Sequence, residues 1–371
     1  MRQYEFIHLL WWEHQVFVPS IIRYINDPQN DFDVSQHLFV LTSKSLYDAN
    51  QADNVILDTT YPSKSNCAAL INKYAEYTDH LIVHSLCSPI ELLKVKPKNL
   101  RKIVWRSWGH DAIFPYQLHK GKIMGNLVKR ALRLVWKRQI KSFQMICGAN
   151  LVDEVNFRDL FGDVRSCRFL YQILRHNETE PLVNNSGTTI KSVDIVNILV
   201  GHSGYSNDNH IAMLNKLMVY RNKPVQLHLV LSYGNKEYID EVKKYAVAQW
   251  KDKVTIHDNF MPMEQYRELI HSMDLAIFDG INSYALSNID MLLRAGKKLI
   301  VNPNGLIKRA FDLDSIPHLT SDTAFDLPFE EFIAPAIYTE ESGKQLLLQT
   351  YEEKIQLMKR TFACIAECKV K

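Results

Sequence analysis

The stretch ILVGHSGYSNDNHI, Ile198–Ile211, runs an apolar strand straight into a Gly-x-x-Gly turn and then into helix-starting residues. Gly201 and Gly204 let the backbone approach an anion closely, and the free N–H groups of a following helix start favour a diphosphate. Ser203 and Ser206 add hydroxyl donors and Asn207 an amide, while Ser206, Asn207 and Asp208 can cap the next helix. On the local pattern alone a purely structural turn suits these residues equally well, because glycine turns between strand and helix are common. The Gly-x-Gly-x-x-Gly spacing and acidic partner of a dinucleotide site are missing, which argues against a nicotinamide enzyme.

A second stretch, IVWRSWGHDAIFPY at Ile103–Tyr116, ends a strand in Trp105, Trp108, Gly109, His110 and Asp111. Indole faces can stack on a sugar or a base, and Asp111 or His110 can act as a general base. The competing reading packs both tryptophans in a core or interface and makes Asp111 a helix cap. HLLWWEHQVF places His14 just after the first strand with Glu13 to orient it, and His84 closes another strand. In the second half, Tyr284 can stack on a nucleobase, Ser287 and Asn288 start a helix whose N–H groups form another anion site, and Asn302 ends a strand. Ordinary turn and cap roles compete at each of these positions.

Arg130, Arg133, Lys137 and Lys141 recur at helical steps and share one face, beside Leu127, Val128, Leu132, Leu134, Val135 and Trp136. Such a helix suits an anionic bilayer or a lipid diphosphate, or else simply a solvated basic face. Asp312 and Asp314 have D-x-D spacing but read as loop residues beyond the last clear strand, so no metal is expected.

These residues need a scaffold, and 371 residues suit two α/β domains. The composition, 46% hydrophobic and 23% charged, is globular, and a net charge of +3 implies no nucleic-acid partner. Strands are predicted at Phe6–Leu10, His37–Thr42, Asn54–Asp58, His80–His84, Lys102–Arg106 and Met145–Cys147, then at Val193–Val200, Val225–Leu231, Val254–His257, Leu275–Phe278 and Lys298–Val301, with helical spacing between them. The alternation implies two doubly wound Rossmann-like domains facing a cleft. Residues 1–178 form the first, 179–192 a linker and 193–342 the second, while 343–371 pack back on the first. The six cysteines match no disulfide or zinc pattern and read as reduced thiols of a cytoplasmic protein. No signal peptide opens the chain and no apolar run approaches the roughly 20 residues of a membrane helix.

With these residues in view, the sequence resembles the TDP-Fuc4NAc:lipid II Fuc4NAc transferases, the 4-alpha-L-fucosyltransferase family of GT-B glycosyltransferases. Trp105, Trp108, Gly109 and Asp111 carry one anchor, and Gly201, Ser203, Gly204, Ser206, Asn207, His210 and Ile211 a second. YGNKEYIDEV at Tyr233–Val242, with Tyr266–Leu275, carries a third, and the chain departs from the family pattern at Ala285–Leu292. The resemblance implies an enzyme on the inner face of the cytoplasmic membrane that moves a deoxyaminosugar from a dTDP donor to a polyprenyl-diphosphate-linked saccharide. Together with the residue reading, a donor site is expected at Gly201, Ser203, Gly204, Ser206, Asn207, His210, Tyr284, Ser287, Asn288 and Asn302, and a base at Asp111 or His14. Trp105, Trp108, Gly109 and His84 would meet the acceptor sugar, Arg130, Arg133, Lys137 and Lys141 its lipid diphosphate or the anionic membrane, and no cofactor or metal is expected. The alternative is a non-catalytic nucleotide-sugar or glycan-binding protein.

Overall fold

The computed structural model describes residues 3–10, 18–60, 66–86, 89–108, 123–149, 151–170, 195–339, 342 and 350–368. The chain divides into two compact units, residues 1–174 with 350–371, and residues 175–349.

The first unit is built on β1 (Phe6–Leu10), β2 (His37–Leu41), β3 (Val55–Leu57), β4 (His80–His84), β5 (Ile103–Arg106), β6 (Met145–Gly148) and β7 (Ser166–Arg168). They form a seven-stranded parallel sheet in the order β3-β2-β1-β4-β5-β6-β7. FIHLL and HLFVL are buried at every position, as strands covered on both faces must be. Its helices are α1 (Val18–Asn26), α2 (Lys44–Ala49), α3 (Cys67–Tyr74), α4 (Pro89–Leu92), α5 (Pro97–Leu100), α6 (Ile123–Ile140) and α7 (Leu151–Phe161). On one face Ile7, Val83 and Trp105 pack against Leu70 of α3, Trp136 of α6 and Phe157 of α7.

The second unit carries β8 (Val196–Val200), β9 (Val225–Val230), β10 (Val254–His257), β11 (Leu275–Phe278), β12 (Lys298–Val301) and β13 (Leu319–Thr320). This six-stranded sheet is also parallel, in the order β10-β9-β8-β11-β12-β13. Its helices are α8 (His210–Leu217), α9 (Lys236–Trp250), α10 (Met263–His271), α11 (Leu286–Arg294), α12 (Leu306–Leu313) and α13 (Phe329–Ile333). Leu214 of α8 and Trp250 of α9 cover one face, Leu292 of α11 and Phe311 of α12 the other.

A last helix, α14 (Tyr351–Glu367), belongs to the first unit, where Met358 and Phe362 pack on Phe6, Phe39 and Ile82. Thr350 starts it with a capping box: its hydroxyl accepts the Glu353 N–H at 3.2 Å, and the Glu353 carboxylate accepts the Thr350 N–H at 2.7 Å. In both sheets the strand order reverses beside the first strand, between β1 and β4 and between β8 and β11. Ligands of doubly wound sheets bind at such switch points, outside the strands' carboxyl ends.

Several expectations change. β7 and β13 carry no apolar run and are half-buried edge strands held by backbone pairing, so hydrophobic patterning passes over them. Asp312 and Asp314 are not in a loop. Asp312 sits on α12, 2.7 Å from Lys308, and Asp314 is the buried C-cap. The cysteines are not uniformly reduced either: Cys67 is disulfide-bonded, while Cys147, Cys167, Cys364 and Cys368 are free. Pairing depends on proximity in space, which sequence spacing does not report. The proposed linker 179–192 lies outside the described residues.

Candidate functional site

The carboxyl end of β8 delivers the Gly201–Gly204 turn to the switch point of the second sheet. Gly201 has φ +72, and a Cβ there would lie 2.3 Å from Nε2 of His210. Gly204 and Gly234 approach so closely that a Cβ on Gly234 would meet Gly204 backbone at 2.3 Å. Both glycines are therefore required by packing.

The turn is not an open anion nest, and this corrects the expected role of its N–H groups. Gly201 N donates to Ile277 O at 3.0 Å and Gly204 N to Tyr233 O at 2.6 Å. Between them, Asp208 Oδ2 accepts His202 N at 3.1 Å, Ser203 N at 2.9 Å and the Ser203 hydroxyl at 2.9 Å. The carboxylate of Asp208 thus fills the place a phosphate was expected to take, and Ser203 is buried with it. Asp208 does not cap α8 either: Asn209 holds that position in the left-handed region, with no side-chain cap bond.

The other oxygen of Asp208 reaches His202 Nδ1 at 3.0 Å. Burial works to raise the Asp208 carboxyl, but the bonds from the His202 ring and backbone prevail and hold it below the usual carboxylate range. The His202 ring lies nearly parallel to Tyr284, centroids 6.2 Å apart and planes 28° apart, with the edge of Phe278 at 6.5 Å. Three segments, the turn after β8, the end of β11 and the approach to α11, thereby fix one imidazole. His210 lies beneath the turn. Burial lowers its imidazole to about 4 against the pull of Asp208.

Tyr284 leads into Ala285, a left-handed residue with φ +59 that caps α11 without a side-chain bond. Ser287 is exposed on the first turn of α11, whereas the Asn288 amide turns inward and donates to Tyr266 Oη at 2.7 Å. At the end of β11, Asp279 ties the neighbouring strands together. It accepts from Asn209 Nδ2 at 2.9 Å, from Asn302 Nδ2 at 3.2 Å and from the Ser321 hydroxyl. Asn302 and Asn288 therefore brace the frame instead of reaching for a ligand. Ser206 and Asn207 stay exposed on the turn.

Sequence reasoning missed His202 and gave Asp208 only a capping role. The available signal was a polar ring immediately after the strand-ending glycine, with a carboxylate six residues on that could fold back to it.

In the first unit, Trp105 is fully buried, edge-on to Trp136 at 5.9 Å, and offers no face to a sugar. Trp108 is half-buried. His84 is also buried, in a file of imidazoles: its Nε2 lies 3.2 Å from His8 Nδ1, and His8 Nε2 lies 3.1 Å from His37 Nδ1. Burial holds His8 and His84 well below the usual imidazole range and brings His37 down to about 4. The file is neutral, each ring donating or accepting within it, so His84 is committed to the interior. Gly109, Asp111 and His14 lie outside the described residues. On α6, Arg130 and Lys141 are exposed beside Leu127 and Leu134, Arg133 and Lys137 are half-buried, and Trp136 belongs to the core.

Two parallel sheets of this order, flanked by helices, place the chain in the GT-B fold class. A glycosyltransferase of Rickettsia africae superposes with a TM-score of 0.59 at 10% identity, over 100% of both chains. HepE of Anabaena, solved with UDP and glucose, gives 0.59 at 12% identity over 98% of this chain and 100% of its own. WaaG, a glycosyltransferase of lipopolysaccharide biosynthesis, gives 0.57 at 10% identity over 98% and 100%. The family model for 4-alpha-L-fucosyltransferases, glycosyl transferase group 56, matches residues 4–330. The chain belongs to that family and is a glycosyltransferase, as its resemblance implied.

Proposed function

We propose that this glycosyltransferase moves a deoxyaminosugar from a dTDP-linked donor to a polyprenyl-diphosphate-linked saccharide during cell-surface polysaccharide synthesis. The observation that carries the donor half is the switch point between β8 and β11, where Tyr284, just ahead of α11 and its exposed Ser287, lies against His202 of the turn after β8. A helix start supplies N–H donors and a partial positive charge for a diphosphate, and an aromatic face supplies a platform for a base. That HepE is solved with UDP and glucose supports a nucleotide-sugar donor.

In this reading Gly201, Ser203, Gly204, His210, Asn288 and Asn302 build the frame, and Ser206, Asn207, Tyr284 and Ser287 meet the donor. Asp111 or His14 takes the proton of the acceptor hydroxyl. Exposed Arg130 and Lys141, with Leu127 and Leu134, suit a lipid diphosphate at an anionic membrane surface, which would place the enzyme peripherally on the cytoplasmic face. Among the described residues no helix is long and apolar enough to cross a membrane. The donor charge is met by N–H dipoles and side chains, so transfer is expected to proceed in the presence of a chelator.

The reading is tested by the melting temperature of the purified protein with saturating dTDP, UDP or GDP. The dTDP sample is expected to melt highest, because a ligand bound only by the folded state stabilises it. If none of the three moves the transition, the donor site is misplaced.

A further inference from the structure

We infer that His202, held by Asp208, is the group that binds and stabilises the departing nucleoside diphosphate, and that it does so by taking up a proton. The inference rests on the donor site proposed above and assigns to it a residue and a charge state.

His202 follows Gly201 at the carboxyl end of β8, on the switch point, and its side chain is 13% exposed. Nδ1 is engaged by Asp208 Oδ1 at 3.0 Å, and Asp208 is locked in turn by the N–H groups of His202 and Ser203. Stacking on Tyr284 and the edge of Phe278 fix the ring plane. What remains is Nε2, for which the described residues supply no hydrogen-bond partner, on the side where Tyr284 leads into α11. A carboxylate on Nδ1 sets the neutral tautomer with its proton on Nδ1 and a lone pair on Nε2. That lone pair cannot donate to a phosphate oxygen. An anionic diphosphate arriving at Nε2 therefore favours the imidazolium, which donates a charge-assisted hydrogen bond from Nε2 while Asp208 balances the charge behind it.

The titratable groups facing the ring are Asp208, His210 and Tyr284. His210 is buried, with its Nε2 beneath Gly201, so it offers no nitrogen to a ligand. In the transfer step the bond from the anomeric carbon to the β-phosphate oxygen breaks, with both electrons going to that oxygen. The acceptor oxygen bonds the carbon, and its proton goes to the base. His202 keeps its own proton, donates a hydrogen bond to the departing oxygen and releases the proton when the diphosphate leaves.

The test is calorimetric titration of dTDP into wild type, His202→Gln and Asp208→Asn, in buffers of different ionisation enthalpy between about pH 6 and about pH 9. Wild type is expected to take up close to one proton per dTDP at the alkaline end, and its affinity is expected to fall as pH rises. His202→Gln is expected to bind about 10- to 100-fold more weakly, with no proton uptake. Asp208→Asn can still accept the backbone N–H bonds through its carbonyl, while its amide turns the ring to the Nε2–H tautomer. It is expected to bind dTDP without proton uptake, which carries the test should the first variant fold poorly. Wild-type binding without proton uptake, or uptake and affinity retained in His202→Gln, would overturn the role of His202 and leave the donor site standing. Failure of wild type to bind dTDP, UDP or GDP overturns the donor site itself.

Discussion

Asp208 sits where a bound phosphate was expected, and its four interactions make it the most heavily committed carboxylate in the turn after β8. Asp208→Ala would leave two buried N–H groups and a ring nitrogen unsatisfied, at a cost of about 3 kcal/mol, measurable by denaturant unfolding. The stabilisation it provides has a defined pH window. Because the folded carboxyl is lowered, the contribution is present above the unfolded-state carboxyl range and is lost as pH falls through the lower folded value. Gly201→Ala, which must place a Cβ against His210 from a φ of +72, is expected to destabilise by about 2 kcal/mol in the same assay. The turn's location was legible from glycine spacing. What its N–H groups bind was not, because the carboxylate that takes them arrives from a short 3-10 turn whose path no periodicity reveals.

At the scale of elements, the central strands were legible because burial on both faces forces continuous apolar runs. LAIF at Leu275–Phe278 and KLIV at Lys298–Val301 have the bounds expected of them. SCR at Ser166–Arg168 was not legible, since an edge strand needs only a backbone partner. The helix α14 lies far along the chain from the sheet it covers, and Phe362, 5% exposed, is one of its anchors. Phe362→Ala is expected to cost about 4 kcal/mol of first-unit stability by removing a core ring. The imidazole file across β2, β1 and β4 adds a second signature. His8, His37 and His84 are neutral when folded and readily protonated when unfolded, so the unfolded state binds more protons below the usual imidazole range. Stability is expected to fall as pH drops from about 6.5 toward about 4, and a melting series over that window checks it.

For the whole molecule, the fold class and family followed from strand–helix alternation and from widely separated anchors, whereas the roles of single residues did not. Trp105 reads alike as a sugar platform and as core, and only its contacts with Trp136 and Phe157 decide for the core. The basic face of α6 has its own consequence. Replacing Arg130 and Lys141 together is expected to weaken sedimentation with anionic vesicles by at least about tenfold and to leave neutral vesicles unaffected. Equal binding by the variant would remove the membrane surface from the account. The measurement that bears most directly on the central claim is transfer of labelled deoxyaminosugar from its dTDP donor into a solvent-extractable, lipid-linked saccharide fraction. The predicted result is transfer by the wild-type enzyme and a large loss of it in His202→Gln. Label that stays on dTDP with wild-type enzyme and a competent acceptor extract would contradict the account.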